Sequence, residues 1–116
     1  MIHLAIEDRI NSYRVESGAA VVSRWDEFVS AQCERHCWAM IARNSLYESE
    51  SCYRSGWVEM VGHCDYDFYW GEVERRLIEG CVSAAPHYKQ ALLTCSVLAY
   101  SVICFKDKVY MVIRGK

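Results

Sequence analysis

Val102-Ile103-Cys104-Phe105-Lys106-Asp107-Lys108-Val109-Tyr110-Met111-Val112-Ile113 is the stretch that decides the fold. Two β-branched, apolar runs flank three polar residues, which is the pattern of a β-hairpin with a short turn. A two-stranded hairpin is marginal by itself, so it needs a third strand or helices packed against it. The segment Trp57–Val61 is the candidate strand. There Val58, Met60, Gly62, Cys64, Tyr66 and Phe68 occupy alternate positions, with Glu59, His63, Asp65 and Asp67 between them. A strand through all of these would be unusually long, so a short strand followed by a turn at Gly62 is expected.

Upstream, the periodicity is helical. Ile2, Ile6, Ile10 and Tyr13 recur at steps of four, four and three, which predicts a helix over 2–15 that Ser17-Gly18 ends. Val22, Trp25, Val29, Cys33, His36 and Met40 then advance by three or four. Phe28, Cys37 and Ile41 widen that stripe, and a long amphipathic helix is expected over 19–42 with Trp25 and Phe28 in the core. Residues 44–56 read as a polar loop. Asp67 can cap a third helix over 68–82, with Trp70, Val73, Leu77 and Cys81 as its stripe. Pro86 suits the first turn of a fourth, carrying Ala91, Leu92, Cys95, Leu98 and Ala99. The expected fold class is α+β. It is a mostly helical single domain of about four helices, spanning residues 1–116, with a small antiparallel sheet that includes the C-terminal hairpin.

Composition narrows the functional classes. The chain has 116 residues, 53% hydrophobic and 24% charged, with net charge −2, one Pro and six Gly. That excludes disordered and fibrous classes and disfavours generic electrostatic binding to nucleic acid. The most apolar run, residues 91–105, is 15 residues long and interrupted by Thr94, Ser96 and Ser101, too short for a membrane span. Glu7 and Asp8 come too early for a signal-peptide core. The seven cysteines are odd in number and irregular in spacing. Reduced thiols in a cytoplasmic protein are therefore expected, mostly as small core hydrophobes.

Charge is unevenly spread. Residues 48–80 hold eight acids and three bases, and residues 81–116 hold one acid and five bases. Aromatics concentrate in the acidic middle: Tyr47, Tyr53, Trp57, Tyr66, Tyr69 and Trp70. Tyr and Trp are enriched at interfaces, where they bury area and keep a polar handle. Trp57, Glu59, Asp65, Tyr66, Asp67, Tyr69 and Glu72 are thus the candidate partner-binding residues, for a larger protein or ribonucleoprotein complex with a basic surface. Neither membrane nor direct nucleic-acid contact is expected. Self-association as a homodimer is a further expectation, because small domains gain stability that way.

Two other constellations carry chemistry. Cys33, His36 and Cys37 share one helix face, and with His63 and Cys64 they form a candidate zinc set, since zinc takes four such ligands. The paired-cysteine spacing of common zinc sites is missing, and the same residues lie on the core stripe, so a packed core with His36 at its edge is the preferred reading. On a strand, His63, Asp65 and Asp67 point the same way, as a small metal-dependent hydrolase would require. Phosphate-binding glycine loops and nucleophile elbows are absent.

Val22-Ser23-Arg24-Trp25 with Phe28, and Pro86 with Tyr88, Ala91 and Leu92, resemble phage antitermination regulators over a small part of the chain. The helix-turn-helix of that family is replaced here by the hairpin, and no function is carried across. The expected function is a non-catalytic interaction module, a small inhibitor or regulator. It is similar in kind to mobile-element proteins that block host defence complexes, CRISPR inhibitors among them. The alternatives are a zinc-binding regulator and, third, the hydrolase. No cofactor is expected outside the zinc alternative.

Overall fold

The computed structural model describes residues 5–49, 55–66 and 70–116. Among them are four helices and a four-stranded sheet: α1 (Ile6–Glu16), β1 (Arg24–Trp25), α2 (Glu27–Arg43), β2 (Val58–Asp65), α3 (Trp70–Ala84), α4 (Pro86–Thr94), β3 (Val97–Phe105) and β4 (Lys108–Gly115). The class is α+β. The hairpin forms as its sequence predicts, with Phe105 opposite Lys108 across the turn. β4 lies between β3 and β2, antiparallel to both, and β1 adds in parallel to the start of β3, giving the order β1-β3-β4-β2.

Both faces of this sheet are covered. Val29, Cys33, Cys37 and Met40 of α2 pack on Val61, Ala99, Tyr110 and Val112. The opposite residues of the same strands, Met60, Leu98, Val109, Met111 and Ile113, pack against α1, α3 and α4 through Ile6, Ile10, Val73, Leu77 and Leu92. The result is three layers with β4 buried in the middle, and its uninterrupted apolar run follows from burial on both sides.

Several boundaries differ from the sequence reading, each for a physical reason. The long helix starts at Glu27, because the Asp26 carboxylate caps it by accepting from the Val29 N–H at 2.9 Å. Arg24-Trp25 are thereby freed to pair with Val97 and Leu98 as β1. Trp25 is half-buried, edge-on to Tyr100 at 5.4 Å, whereas Phe28 is 75% exposed and not core. The strand does not stop at Gly62. β2 keeps register with β4 from Val58 to Asp65. A Cβ on Gly62 would meet the Leu77 carbonyl oxygen of α3 at 3.8 Å, an ordinary contact, so this glycine marks neither a turn nor a tight approach. The fourth helix ends at Thr94, and Leu98 and Ala99 belong to β3. The apolar run of residues 91–105 is therefore helix end and strand, and no helix among the described residues is long and apolar enough to cross a membrane. The expected Asp67 cap lies outside the described residues.

Arg14 fixes the helix layer. Its buried guanidinium donates to the carbonyls of Ala20, Leu92 and Cys95 at 2.6–2.9 Å. It thereby satisfies carbonyls at the end of α4, where a helix favours positive charge. Beside it, Gly115 has no room for a side chain. An added Cβ would lie 2.7 Å from Cys95 Sγ and 2.9 Å from Leu98 Cδ2.

Gly115→Ala is expected to destabilise the fold by about 1–3 kcal/mol through overpacking. Gly62→Ala, which meets only ordinary contacts, is expected to cost clearly less. Urea denaturation of the two variants checks the ranking.

Candidate functional site

Alternation along β2 puts Val58, Met60, Gly62 and Cys64 toward α3, and Glu59, Val61, His63 and Asp65 toward α2. Glu59 is therefore not a surface residue. It is fully buried, directly opposite Arg114 of β4. Arg114 Nε donates to Glu59 Oε2 at 2.9 Å, Nη1 to Gln32 Oε1 at 2.8 Å, and Nη2 to Ser49 Oγ at 3.1 Å. Ser49 donates twice to the same carboxylate, from its N–H to Oε1 and from its hydroxyl to Oε2. His36 Nε2 donates to the Tyr47 carbonyl at 2.6 Å and lies 3.4 Å from Glu59 Oε1. Tyr47 closes the group, edge-on to His36 and beneath the Arg43 guanidinium.

This network floors a cleft of about 480 Å³, lined by Gln32, Arg35, His36, Ser49, Ser55 and Arg114. Its chemistry is that of mutual satisfaction. The guanidinium neutralises the carboxylate, and the Ser49 hydroxyl donates to that same carboxylate. Each buried polar group meets a partner, as burial demands. The network ties residues 47 and 49 of the loop to the α2 face of the sheet.

The candidate zinc residues are split by the sheet. Cys33, His36 and Cys37 lie on the α2 side, Cys64 packs on the α3 side, and His63 is exposed on the α2 side against the Tyr110 ring. Among the described residues no three of His, Cys, Asp and Glu are placed to hold a metal ion. Burial, above all, pushes the Cys37 thiol up to about 12, and burial alone does the same at Cys81. Burial also raises Cys64 and Cys95, with Arg76 and Arg14 respectively pulling the other way. These are protonated, space-filling thiols at neutral pH. Cys104 alone among the described cysteines is exposed.

Of the remaining partner-binding candidates, Asp65, Tyr66 and Glu72 lie where β2 runs toward α3, whereas Trp57 stands at the other end of β2, beside the Lys116 ammonium. Asp65 is exposed, Tyr66 and Trp57 are half-buried, and Glu72 is partly exposed and bonded to Arg75. Arg75 also bonds Glu79, at 3.0 Å. Asp67, Tyr69 and Tyr53 lie outside the described residues. Elsewhere in the acidic segment, Glu74 is buried and accepts from the Ala5 N–H, and Glu48 accepts from the buried Tyr88 hydroxyl. Much of the acidic surplus counted in the sequence thus serves internal bonds. Sequence reasoning missed Arg114, Gln32 and Ser49. The available signal was a lone Arg closing an otherwise apolar strand and a lone Glu between Val58 and Met60.

No protein-family model matches the chain, and no curated protein matches its sequence.

Arg114→Met leaves Glu59 buried without its counter-charge and is expected to cost about 3–5 kcal/mol. Adding Glu59→Leu should recover part of that loss, and a double-mutant cycle in urea measures the coupling. Brief alkylation of the native protein followed by peptide mass mapping should label Cys104 and spare Cys33, Cys37 and Cys81 until denaturant is added. Because the Cys37 and Cys81 thiols rise from 9.0 to about 12 on folding, the stability they contribute is intact below pH 9.0. It is lost as pH climbs toward 12, which chemical denaturation across that range would reveal.

Proposed function

We propose that the chain is a non-catalytic protein-interaction module. It would act as a small inhibitor or regulator by seating on a larger protein or ribonucleoprotein complex. One observation carries this reading. The buried acids, bases and imidazole are occupied in holding the fold together, while bulky apolar rings stand outside it. Phe28 is 75% exposed, Trp38 47% and Phe105 40%. Exposed rings of this size are what protein interfaces use as anchors.

The surface around Asp65, Tyr66 and Glu72, at the end of β2 and the start of α3, is assigned to the larger partner, with Trp57 at the opposite end of β2 as a separate candidate contact. The chemistry of that surface is a carboxylate beside an aromatic edge, which suits a partner that presents Arg or Lys. The inhibitor and anti-defence character belongs to the same proposal. It rests on the analogy of size and of a chain whose polar chemistry is spent internally.

The test is a triple charge reversal, Asp65→Lys, Asp67→Lys and Glu72→Lys, compared with the wild type in capture at several salt concentrations. A partner that the wild type retains should be released by raised salt and bound at least about tenfold more weakly by the variant, about 1.4 kcal/mol. Equal retention by the two proteins, with unchanged urea midpoints, would remove this surface from the reading.

A further inference from the structure

The two edges of the sheet are unlike. β2 carries Glu59, His63 and Asp65, whereas β3, Val97-Leu98-Ala99-Tyr100-Ser101-Val102-Ile103-Cys104-Phe105, has no charge, no Pro and no Gly. Proteins ordinarily blunt an open edge with such residues, because unpaired backbone groups are a template for another strand. β3 lacks these devices.

Register shows which groups are open. Val97 and Lys116 exchange both backbone hydrogen bonds, at 3.0 and 3.2 Å, so the odd-numbered residues of β3 turn their backbone groups toward β4. The even-numbered ones turn outward. Of these, Leu98 accepts from the Asp26 N–H, and the Tyr100 N–H is taken by Ser30 Oγ. β1 covers only Val97 and Leu98. The backbone N–H and C=O of Val102 and of Cys104 have no partner among the described residues. Next to them stand Phe105 and Trp38, ring edge to face at 6.2 Å and each about half exposed. Ile103 is half-buried on the same side.

We propose that β3 pairs antiparallel with β3 of a second copy of this chain, about a two-fold axis at Ile103. In that register Val102 lies opposite Cys104 of the second copy and exchanges both bonds with it. The symmetric pair does the same, so the four backbone groups of Val102 and Cys104 on each chain are used. Ile103 faces Ile103 of the second copy, and Phe105 faces its Ser101, flanked by the Trp38 rings. Lys106 of one chain comes to Tyr100 of the other, whose hydroxyl holds the Glu7 carboxylate at 2.9 Å, so the two-fold joins opposite charges. Neighbouring registers fit worse. Centring on Val102 sets Cys104 against the Tyr100 N–H that Ser30 already occupies, and drives Lys106 into β1. Centring on Cys104 sets Val102 against Lys106, whose φ of 56° belongs to the turn. This self-complementarity favours a second copy over the strand of an unrelated protein. The two four-stranded sheets become one of eight strands, with the β2 edges outermost.

The experiment is sedimentation velocity of the full chain over the micromolar range, beside Cys104→Lys. The wild type should run at twice 13.4 kDa. Cys104→Lys puts a charge on an exposed edge position, and should dimerise at least tenfold more weakly with an unchanged circular dichroism spectrum. In a Cys104→Ser background, Ile103→Cys should form a disulfide dimer on mild oxidation, because facing residues of a non-hydrogen-bonded pair have Cα atoms about 4.5 Å apart. Lys89→Cys, on exposed α4, should not. A wild type that stays monomeric overturns the proposal. So does a dimer that Cys104→Lys leaves intact, or cross-linking no faster at Ile103→Cys than at Lys89→Cys. Partner binding is a separate matter: the triple charge-reversal variant on the opposite edge should dimerise as the wild type does.

Discussion

The pairing of Glu59 with Arg114 is the constraint on which the α2 side of the molecule depends. Two charges sit opposite each other on neighbouring strands with almost no exposure, so water solvates neither fully. Such a pair is tolerable only when its remaining hydrogen-bonding capacity is filled. Gln32 from α2 and Ser49 from the loop fill it, with His36 alongside. The pair therefore sets where α2 sits over β4 and where the loop crosses the end of the helix. Arg14 plays a comparable part on the opposite face, where one guanidinium gathers three carbonyls from two separate stretches of chain. Each layer of helices is pinned to its place by one buried arginine.

The hairpin, the stripe of α2 and the start of α4 were legible because each is a local pattern. Alternation along residues 58–65 was legible too, and Cys64 and Tyr66 do pack on the side away from Asp65. The misreading lay in what the other side faces. Alternating polar residues suggest water on one face of a sheet, yet α2, with its broad apolar stripe, had to cover something. It covers this face, so Glu59 is interior. The signal was present as a conflict between two elements and not within either. β1 is two residues long and pairs with residues more than seventy positions later, so no local pattern marks it. Leu98 and Ala99 continued a helical spacing by coincidence, and the parallel pairing with Arg24-Trp25 and the register with β4 outweigh that spacing.

Charge behaved differently in space than along the chain. The eight acids of residues 48–80 suggest a strongly acidic surface. Glu59 and Glu74 are inside, Glu48 holds a buried tyrosine hydroxyl, and Glu72 and Glu79 share Arg75. Net charge in a segment reports composition, and only the fold tells how much of it reaches solvent. What distinguishes the surface instead is the contrast between a polar edge strand and an uncharged one, and that contrast divides the molecule into two sides with different chemistry.

The position of β4 in the chain has a consequence for synthesis. The strand that both hydrophobic layers rest on follows every other described element in the chain. A nascent chain that has reached only residue 107 carries α2 with part of its floor missing, Glu59 without its cation, and two strands without the one between them. The pairings of β4 with β2 and β3, and its share of the α2 layer, form only when Lys108–Gly115 emerges. Until then the three-layer core cannot close, so folding of this domain waits on β4.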